Sequence, residues 1–314
     1  MSQDRLNACN MKKYKSSHPY LILSLVIFIW GLNYIVGRCL LSTAVFGYVH
    51  ITGVLFAFLR YLTGALTMIM ILTVRKRRLI EIYVEMRPYI KVLLVSILAS
   101  SIFVLSSNQS QFYVSSGTTS IIINLCPLLV LIYGIWFLKE KLTIKKTTGF
   151  VLGFLGGLLF LYNSIHSGGN FIVGTGILLS LVAMAAWAGY TVTLYYLRGA
   201  DRVTVLGVQH TISSLLIVPF LGIYMLSSPL VFVLDVWSVL GILFSGVFST
   251  AIGYILYFKV IETIGAPRAA SFLFLIPFVS LLGDIMLHEL PPPIALTGGV
   301  AAILGVALIK KDSH

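Results

Sequence analysis

The residue of this 314-residue chain with the most unusual placement is Arg60, which lies within a long apolar run. A charge at the centre of a membrane helix costs about 2.5–3.5 kcal/mol on insertion scales, so such a residue should face a cavity, a partner or carbonyl groups. Arg60 could attract a carboxylate or phosphate of a bound molecule. It could equally tie helices together, and the sequence leaves both interpretations open.

Uncharged polar side chains also interrupt the apolar runs. Six consecutive polar residues, 106–111, stand in the third run. They would be costly in hydrocarbon, so at least one face of this segment must line water, a ligand or other helices. Asn108 and Gln111 are the best candidates here for lining a cavity, and Asn124 and His210 are further ones in later runs. A lone histidine usually hydrogen bonds within the interior.

Aromatic residues with a polar edge cluster well inside other apolar runs. They are Trp30, Tyr34, Trp187, Tyr190, Tyr254 and Tyr257. Aromatic rings in midspan could stack against an aromatic or cationic ligand. At a membrane interface the same residue types would only be anchors, and we predict a cavity role for Trp30, Trp187, Tyr190 and Tyr254, which lie well inside their spans.

Other reactive groups are sparse. Asp284, near the end of a late apolar run, could titrate and couple the activity of the protein to protons, or it could simply be solvated. No catalytic residues, HExxH or CxxC motif, metal-ligand set or nucleotide-binding loop can be identified. We therefore predict no enzyme activity, no metal and no cofactor.

The elements that position these residues are predicted to be membrane helices. The chain is 58% hydrophobic and only 10% charged, whereas a soluble domain has roughly 25% charged residues. Apolar runs of about 20 residues match the thickness of the hydrocarbon core. The ten predicted spans are 20–41, 50–73, 89–113, 117–138, 146–162, 171–195, 204–226, 237–258, 267–287 and 292–309.

Basic residues predict the orientation. The net charge of +12 could suit nucleic acid, but the lysines and arginines stand in short clusters between the spans. Twenty of the 22 basic residues fall on one side of a ten-span arrangement, which the positive-inside rule makes the cytoplasmic side. The lipid bilayer is thus the expected partner and nucleic acid is not, with both termini in the cytoplasm and a cytoplasmic tail at 1–18.

An internal repeat divides the chain into predicted halves at 19–165 and 166–311. Several features of the first half recur in the second. Pro127 recurs as Pro277 at an offset of 150, and the segment 138–140 and Gly149 recur as 287–289 and Gly298 at an offset of 149. Trp30 likewise recurs as Trp187. Both prolines should kink their helices. Because each half has an odd number of spans, the halves should be inverted. We predict an all-α integral membrane fold of ten helices in two inverted five-helix repeats, an arrangement typical of secondary transporters with a midplane site.

These motifs resemble the drug/metabolite transporter superfamily, and in particular its EamA-type ten-helix branch. The resemblance is carried by Trp30, Gly31 and Asn33 in the first span, by the segment 58–60 ending at Arg60, and by the two proline…Leu-x-Glu…Gly blocks. It implies a five-plus-five inverted fold with a central cavity and alternating access, and it adds Asn33 to the candidate cavity residues. The run of three prolines at 291–293 departs from the first half, where the corresponding link is rich in lysine.

Taken together, the sequence predicts a secondary carrier in the cytoplasmic membrane that exports small metabolites, with amino acids as the lead class. A facilitative or exchange carrier for a nucleotide, nucleoside or sugar derivative is the alternative. A channel would need a continuous polar stripe or a charge ring, and a membrane enzyme would need clustered acids or histidines near one interface. The partners expected are a small-molecule substrate and lipid, and the protein could be a monomer or a homodimer.

Overall fold

The computed structural model describes residues 18–43, 45–138 and 171–286, together with 143–144, 147–148, 151–152 and 155. Within these residues the chain is helical and contains no strands, apart from two isolated bridges. In chain order the helices are α1 Pro19–Leu41, α2 Gly53–Val74, α3 Leu79–Met86, α4 Ile90–Tyr113, α5 Ser116–Ile123, α6 Cys126–Leu138, α7 Phe171–Tyr196, α8 Arg202–Ser227, α9 Val236–Leu243, α10 Gly253–Ile264, α11 Ala266–Ser271 and α12 Ile276–Met286.

Eight segments of the described chain are long and apolar enough to cross a membrane. They are Pro19–Leu41, Gly53–Val74, Leu79–Tyr113, Ser116–Tyr133, Gly174–Tyr196, Arg202–Ser227, Val236–Ile264 and Ala266–Gly283. They coincide with the first four and the sixth to ninth predicted spans, so this is a multi-pass membrane protein. Of the predicted fifth span, 146–162, the structure describes only residues 147–148, 151–152 and 155, and the predicted tenth span, 292–309, lies outside the described residues.

Short polar side chains start several helices. The side chains of Ser115, Asp201 and Asp235 each accept a hydrogen bond from the backbone N–H three residues later. Such caps satisfy N–H groups that have no partner within the helix. At Asp235 the bond from the Ser238 N–H also lowers the pKa of the carboxyl, because it stabilises the charged form.

Two spans are interrupted just before a proline, at the positions that the repeat relates. Helix α5 ends at Ile123 and α6 begins at Cys126, immediately before Pro127. Likewise α11 gives way to a 3-10 turn, Phe272–Leu275, and α12 begins just before Pro277. Proline lacks the N–H that would continue the backbone hydrogen bonds of an α-helix, and its ring clashes with the carbonyl four residues earlier. Both effects favour a break in the helix at these positions.

A third interruption was not predicted. Between α9 and α10 the chain forms a π-helical segment, Phe244–Ile252. The segment contains no proline, and its overall hydrophobicity is similar to that of the other apolar spans. Short π-helical stretches occur mostly inside α-helices and often at functional sites.

Helix packing repeats with the halves exchanged. Helix α1 of the first half packs against α10 and α12 of the second half. Helix α7 of the second half packs against α4, α5 and α6 of the first half. Helix α2 lies along both α8 and the π-helical segment, while α4 lies along α8. Each of these contacts between the described helices of the two halves has a counterpart with the halves exchanged.

Two glycines allow α2 and the π-helical segment to approach closely. A Cβ added to Gly246 would lie 2.4 Å from the Thr63 Cβ and 3.1 Å from the Arg60 carbonyl oxygen. A Cβ added to Gly64 would lie 2.7 Å from the Thr250 Cγ2. Small residues at such contacts let backbones meet, and dispersion forces then hold the helices together in lipid.

Gly246→Ala should therefore force these helices apart. Overpacking of a tight contact typically costs about 1–3 kcal/mol, so we expect a lower midpoint of thermal unfolding in detergent, measured by circular dichroism. Gly222→Ala is the matched control, because no atom lies within 4 Å of a Cβ added there. Equal midpoints for the two variants would contradict the close approach.

Candidate functional site

A cavity lies where helices from both halves of the chain meet. Polar and apolar side chains share its wall. The lining residues are Trp30, Asn33, Tyr34, Arg60, Phe103, Ser107, Ile123, Asn124, Trp187, Ser249, Tyr254 and Ile276. Six of the residues predicted from the sequence thus face one space: Trp30, Asn33, Arg60, Asn124, Trp187 and Tyr254.

Arg60 supplies the positive charge of the cavity. Its side chain is only 4% exposed. The Nε–H donates to the Thr250 Oγ1 at 2.9 Å, and an Nη2–H donates to the Ser249 Oγ at 3.3 Å. No carboxylate of the described residues forms an ion pair with it. The guanidinium is therefore held by neutral hydroxyl groups, and its charge is uncompensated in the described part of the site.

The π-helical segment Phe244–Ile252 builds the floor of the site. It presents the hydroxyls of Ser249 and Thr250 to Arg60, and the carbonyl oxygen of Ser249 accepts a hydrogen bond from the Trp30 Nε1 at 3.0 Å. The wider turn of a π-helix displaces the backbone hydrogen bonds from their usual α-helical partners. One local change of helix type thus places three acceptor groups against side chains of the first half.

Gly253, the first residue after this segment, leaves room for the indole. A Cβ added there would lie 2.6 Å from the Trp30 Nε1. A side chain at residue 253 would therefore push Trp30 away from the Ser249 carbonyl.

Aromatic rings form a second wall. Trp30 and Trp187, which the repeat relates, meet edge to face with ring centroids 5.1 Å apart. Tyr254 contacts both rings at 5.7 and 5.5 Å. Phe103 lies 4.6 Å from Trp187. Aromatic pairs at these distances contribute about 0.5–1.5 kcal/mol beyond their buried area, so the two halves are joined here by packing as well as by polar contacts.

The two amides in the wall differ in their hydrogen bonding. Asn124, at the end of α5, donates from its Nδ2 to the Ser120 carbonyl at 2.6 Å. The Asn33 side chain is 5% exposed, and its Oδ1 has no hydrogen-bond partner among the described residues. A buried acceptor without a partner costs about 1–3 kcal/mol, so Asn33 can bind a donor that enters the cavity.

Asn108 and Gln111, predicted to line a cavity, do not line this one. Asn108 donates to the carbonyl of Val104 at 2.9 Å, and Gln111 donates to that of Ser107 at 3.3 Å, both on their own helix. Gln111 also packs against α1, where a Cβ added to Gly37 would lie 2.3 Å from its Oε1. Of the polar run 106–111, only Ser107 is part of the lining.

Tyr190 and His210 lie behind the wall. The Tyr190 hydroxyl donates to the Gln209 Oε1 at 3.3 Å, and its ring stacks on Trp187 at 5.2 Å. His210 places its Nδ1 2.7 Å from the Leu206 carbonyl oxygen, with its ring edge-on to Tyr254 at 5.0 Å. Both residues support the rings that line the cavity.

Asp284 belongs to α12, and its side chain lies outside the described residues. In the described part of the chain no three histidine, cysteine or acidic residues stand close enough together to hold a metal ion.

Several lining residues were not predicted. Tyr34, one helical turn from Trp30, belongs to the aromatic cluster noted in the sequence but was not assigned to the cavity. Phe103, Ile123 and Ile276 are ordinary apolar residues without a distinguishing signal. Ser249 belongs to the π-helical segment, a conformation that hydropathy does not reveal.

The cavity is narrow in this structure. The space open to the centres of water molecules is about 30 Å³, which corresponds to about two waters. Sites for small organic ligands have volumes of roughly 300 Å³ or more. A metabolite can enter only if the surrounding helices separate.

Comparison with known proteins identifies relatives over nearly the whole chain. Residues 18–162 and 174–310 each match the model of the EamA-like transporter family. An uncharacterized transporter of Archaeoglobus fulgidus is 28% identical over 93% of this chain and 98% of its own length. A protein of Salmonella typhimurium named "Probable amino-acid metabolite efflux pump" is 23% identical over 90% and 91% of the two chains. A solved crystal structure, 16% identical, shares the fold with a TM-score of 0.71 over 95% of this chain and 99% of that one.

The hydrogen bonds of Arg60 lead to a prediction for Thr250→Val. This change keeps the side-chain shape but removes the acceptor of the Arg60 Nε–H. Hydrogen bonds to charged groups contribute about 1.5–3 kcal/mol, so thermal unfolding in detergent should shift clearly to lower temperature. Thr263→Val is the control. Its lost hydroxyl is exposed and donates a hydrogen bond to the backbone carbonyl oxygen of Lys259 in the same helix. If both variants unfold like the unaltered protein, Thr250 does not hold Arg60.

Proposed function

Because the chain belongs to the EamA-like transporter family, we propose that it is a secondary carrier that exports small metabolites across the cytoplasmic membrane, with amino acids as its main substrates. The observation that carries this proposal is the buried charge of Arg60, which no carboxylate of the described residues pairs with, in a cavity formed by both halves. The name of the Salmonella relative, an amino-acid metabolite efflux pump, supports the same class of substrate.

The polar groups of the cavity suit a zwitterion. Arg60 can donate two parallel hydrogen bonds to a carboxylate, which is the strongest geometry available to a guanidinium. The unpartnered Oδ1 of Asn33 can accept a hydrogen bond from an ammonium group. The rings of Trp30, Trp187 and Tyr254 would pack against the side chain of the substrate. Binding would thus replace the two neutral hydroxyl contacts of Arg60 by a charged partner.

We propose that transport proceeds by alternating access. In this account the ten-helix arrangement is completed by the fifth and tenth spans, both termini are cytoplasmic, and the halves are inverted. The narrow cavity then represents a state in which the halves are drawn together. The breaks before Pro127 and Pro277 are suitable hinges because they interrupt the backbone hydrogen bonding. A single chain holds the whole site, so a monomer suffices, and a homodimer would contain two sites.

An exchange carrier for a phosphorylated metabolite, such as a nucleotide or a sugar phosphate, is the second candidate. It is supported by the same guanidinium, whose planar fork also fits a phosphate. Within the described cavity, however, Arg60 is the sole cation. A single positive charge balances a carboxylate better than a dianionic phosphate, and this favours the amino-acid assignment.

Counterflow in proteoliposomes tests the assignment. Preloaded liposomes should take up labelled amino acids, and Arg60→Gln should lower the rate at least 100-fold, because a bidentate charged contact is lost. Arg60→Lys should retain part of the rate. Unlabelled amino-acid amides, which lack the carboxylate, should not compete.

Arg268→Gln, which removes one positive charge away from the cavity, is the matched control and should transport normally. If sugar phosphates or nucleotides compete and amino acids do not, the second candidate is correct. Unchanged kinetics in Arg60→Gln would refute a substrate contact by Arg60.

Coupling to protons is a separate proposal and rests on Asp284, whose carboxylate could bind a proton within the membrane. Asp284→Asn should then abolish the stimulation of transport by a pH gradient while leaving exchange at equal pH intact. The measurement is uptake with and without an uncoupler. If the uncoupler has no effect on the unaltered protein, the carrier works by facilitated diffusion or exchange.

A further inference from the structure

The third span is much longer than a membrane crossing requires. It runs from Leu79 to Tyr113 over 35 residues, or ~52 Å at 1.5 Å per residue. The hydrocarbon core is only about 30 Å thick. The first part of this segment, α3 and the 3-10 turn Arg87–Tyr89 that follows it, therefore extends into the headgroup layer or beyond it.

This extension exposes apolar side chains where the spanning part has ended. Leu79 is 85% exposed, Ile80 64%, Tyr83 63% and Val84 61%. Residues 80, 83, 84, 87 and 91 recur at helical spacing and share one face. That face begins with apolar and aromatic groups and ends with Arg87 and Lys91, both exposed. We call these five residues the basic–apolar face.

Four of the six basic residues between 75 and 91 fall into two contrasting pairs. Arg75 pairs with Asp201 at 3.3 Å and Arg77 pairs with Glu85, whose other oxygen accepts from the Asp201 N–H. These charges connect the two halves of the chain. Arg87 and Lys91, in contrast, have no ion-pair partner among the described residues.

We infer that the basic–apolar face is a binding site for anionic phospholipid. The phosphate headgroup would lie between Arg87 and Lys91, and α3, turned at the 3-10 segment Arg87–Tyr89, would lie along the headgroup layer with Ile80, Tyr83 and Val84 towards the acyl chains. Basic clusters beside a membrane span attract anionic lipid through the surface potential. Helices at a membrane surface bury aromatic and aliphatic side chains at the boundary between headgroups and acyl chains.

Topology alone does not account for this face. The positive-inside rule requires basic residues near a span, but it requires neither exposed apolar side chains beyond the span nor cations aligned with them. A second copy of the chain is a poorer occupant, because it would bring the same two unpaired positive charges to the contact. Lipid phosphate supplies the complementary charge, and the inference is independent of the transported substrate.

Titration of the detergent-solubilised protein with phosphatidylglycerol, followed by native mass spectrometry, tests this site. The unaltered protein should bind this lipid in preference to phosphatidylcholine. The double variant Arg87→Gln, Lys91→Gln should bind it about 30-fold more weakly, since each cation near a membrane surface contributes about fivefold. Tyr83→Ser should weaken binding by a smaller factor.

The matched control is Lys259→Gln, Arg268→Gln, which removes the same charge from other helices and should leave the affinity unchanged. Equal weakening in both double variants would show that only net charge matters, and it would overturn the site. Full competition by inorganic phosphate would identify a free-anion site instead of a lipid site. Both double variants should elute as the unaltered protein does in size-exclusion chromatography, because the substituted residues are exposed or partly exposed.

Discussion

The guanidinium of Arg60 and the two hydroxyls that hold it are the contact on which the rest of the site depends. A buried cation in a membrane protein needs hydrogen-bond acceptors, because hydrocarbon offers none. Here Ser249 and Thr250 supply them, at 3.3 and 2.9 Å. These residues can face Arg60 because the helix that carries them is π-helical there, and because Gly246 lets it approach α2. The charge, the change of helix type and the glycine contact therefore belong to one arrangement.

That arrangement spans the two halves of the chain. Arg60 and Trp30 come from the first half, and the groups that receive their hydrogen bonds come from the second. Any widening of the cavity must stretch or exchange these contacts, so a ligand that offers Arg60 a carboxylate competes directly with the interface between the halves. In the proposed mechanism the substrate would thus change the balance between closed and open states through its differential contacts, as population shift requires.

Much of the fold could be predicted from the sequence, because hydrophobic length and basic clusters are strong signals in membrane proteins. The eight described spans lie where they were predicted, and the repeat related Trp30 to Trp187, which turn out to be in contact. The site was predicted less well. Which face of a helix a polar residue occupies depends on its neighbours, so the sequence does not reveal that Asn108 and Gln111 donate to carbonyl groups of their own helix. The π-helical segment, and with it Ser249, depends on tertiary contacts and has no signature in hydropathy.

The most direct test of the account is a structure of the protein with a bound amino acid. If Arg60 binds the substrate, the substrate carboxylate will lie within hydrogen-bond distance of its guanidinium and the ammonium group will contact the Asn33 Oδ1. Arg60 will also have left at least one of its two hydroxyl partners. A bound amino acid elsewhere, with Arg60 still held by both Ser249 and Thr250, would show that the arginine only ties the helices together. That result would contradict the central claim.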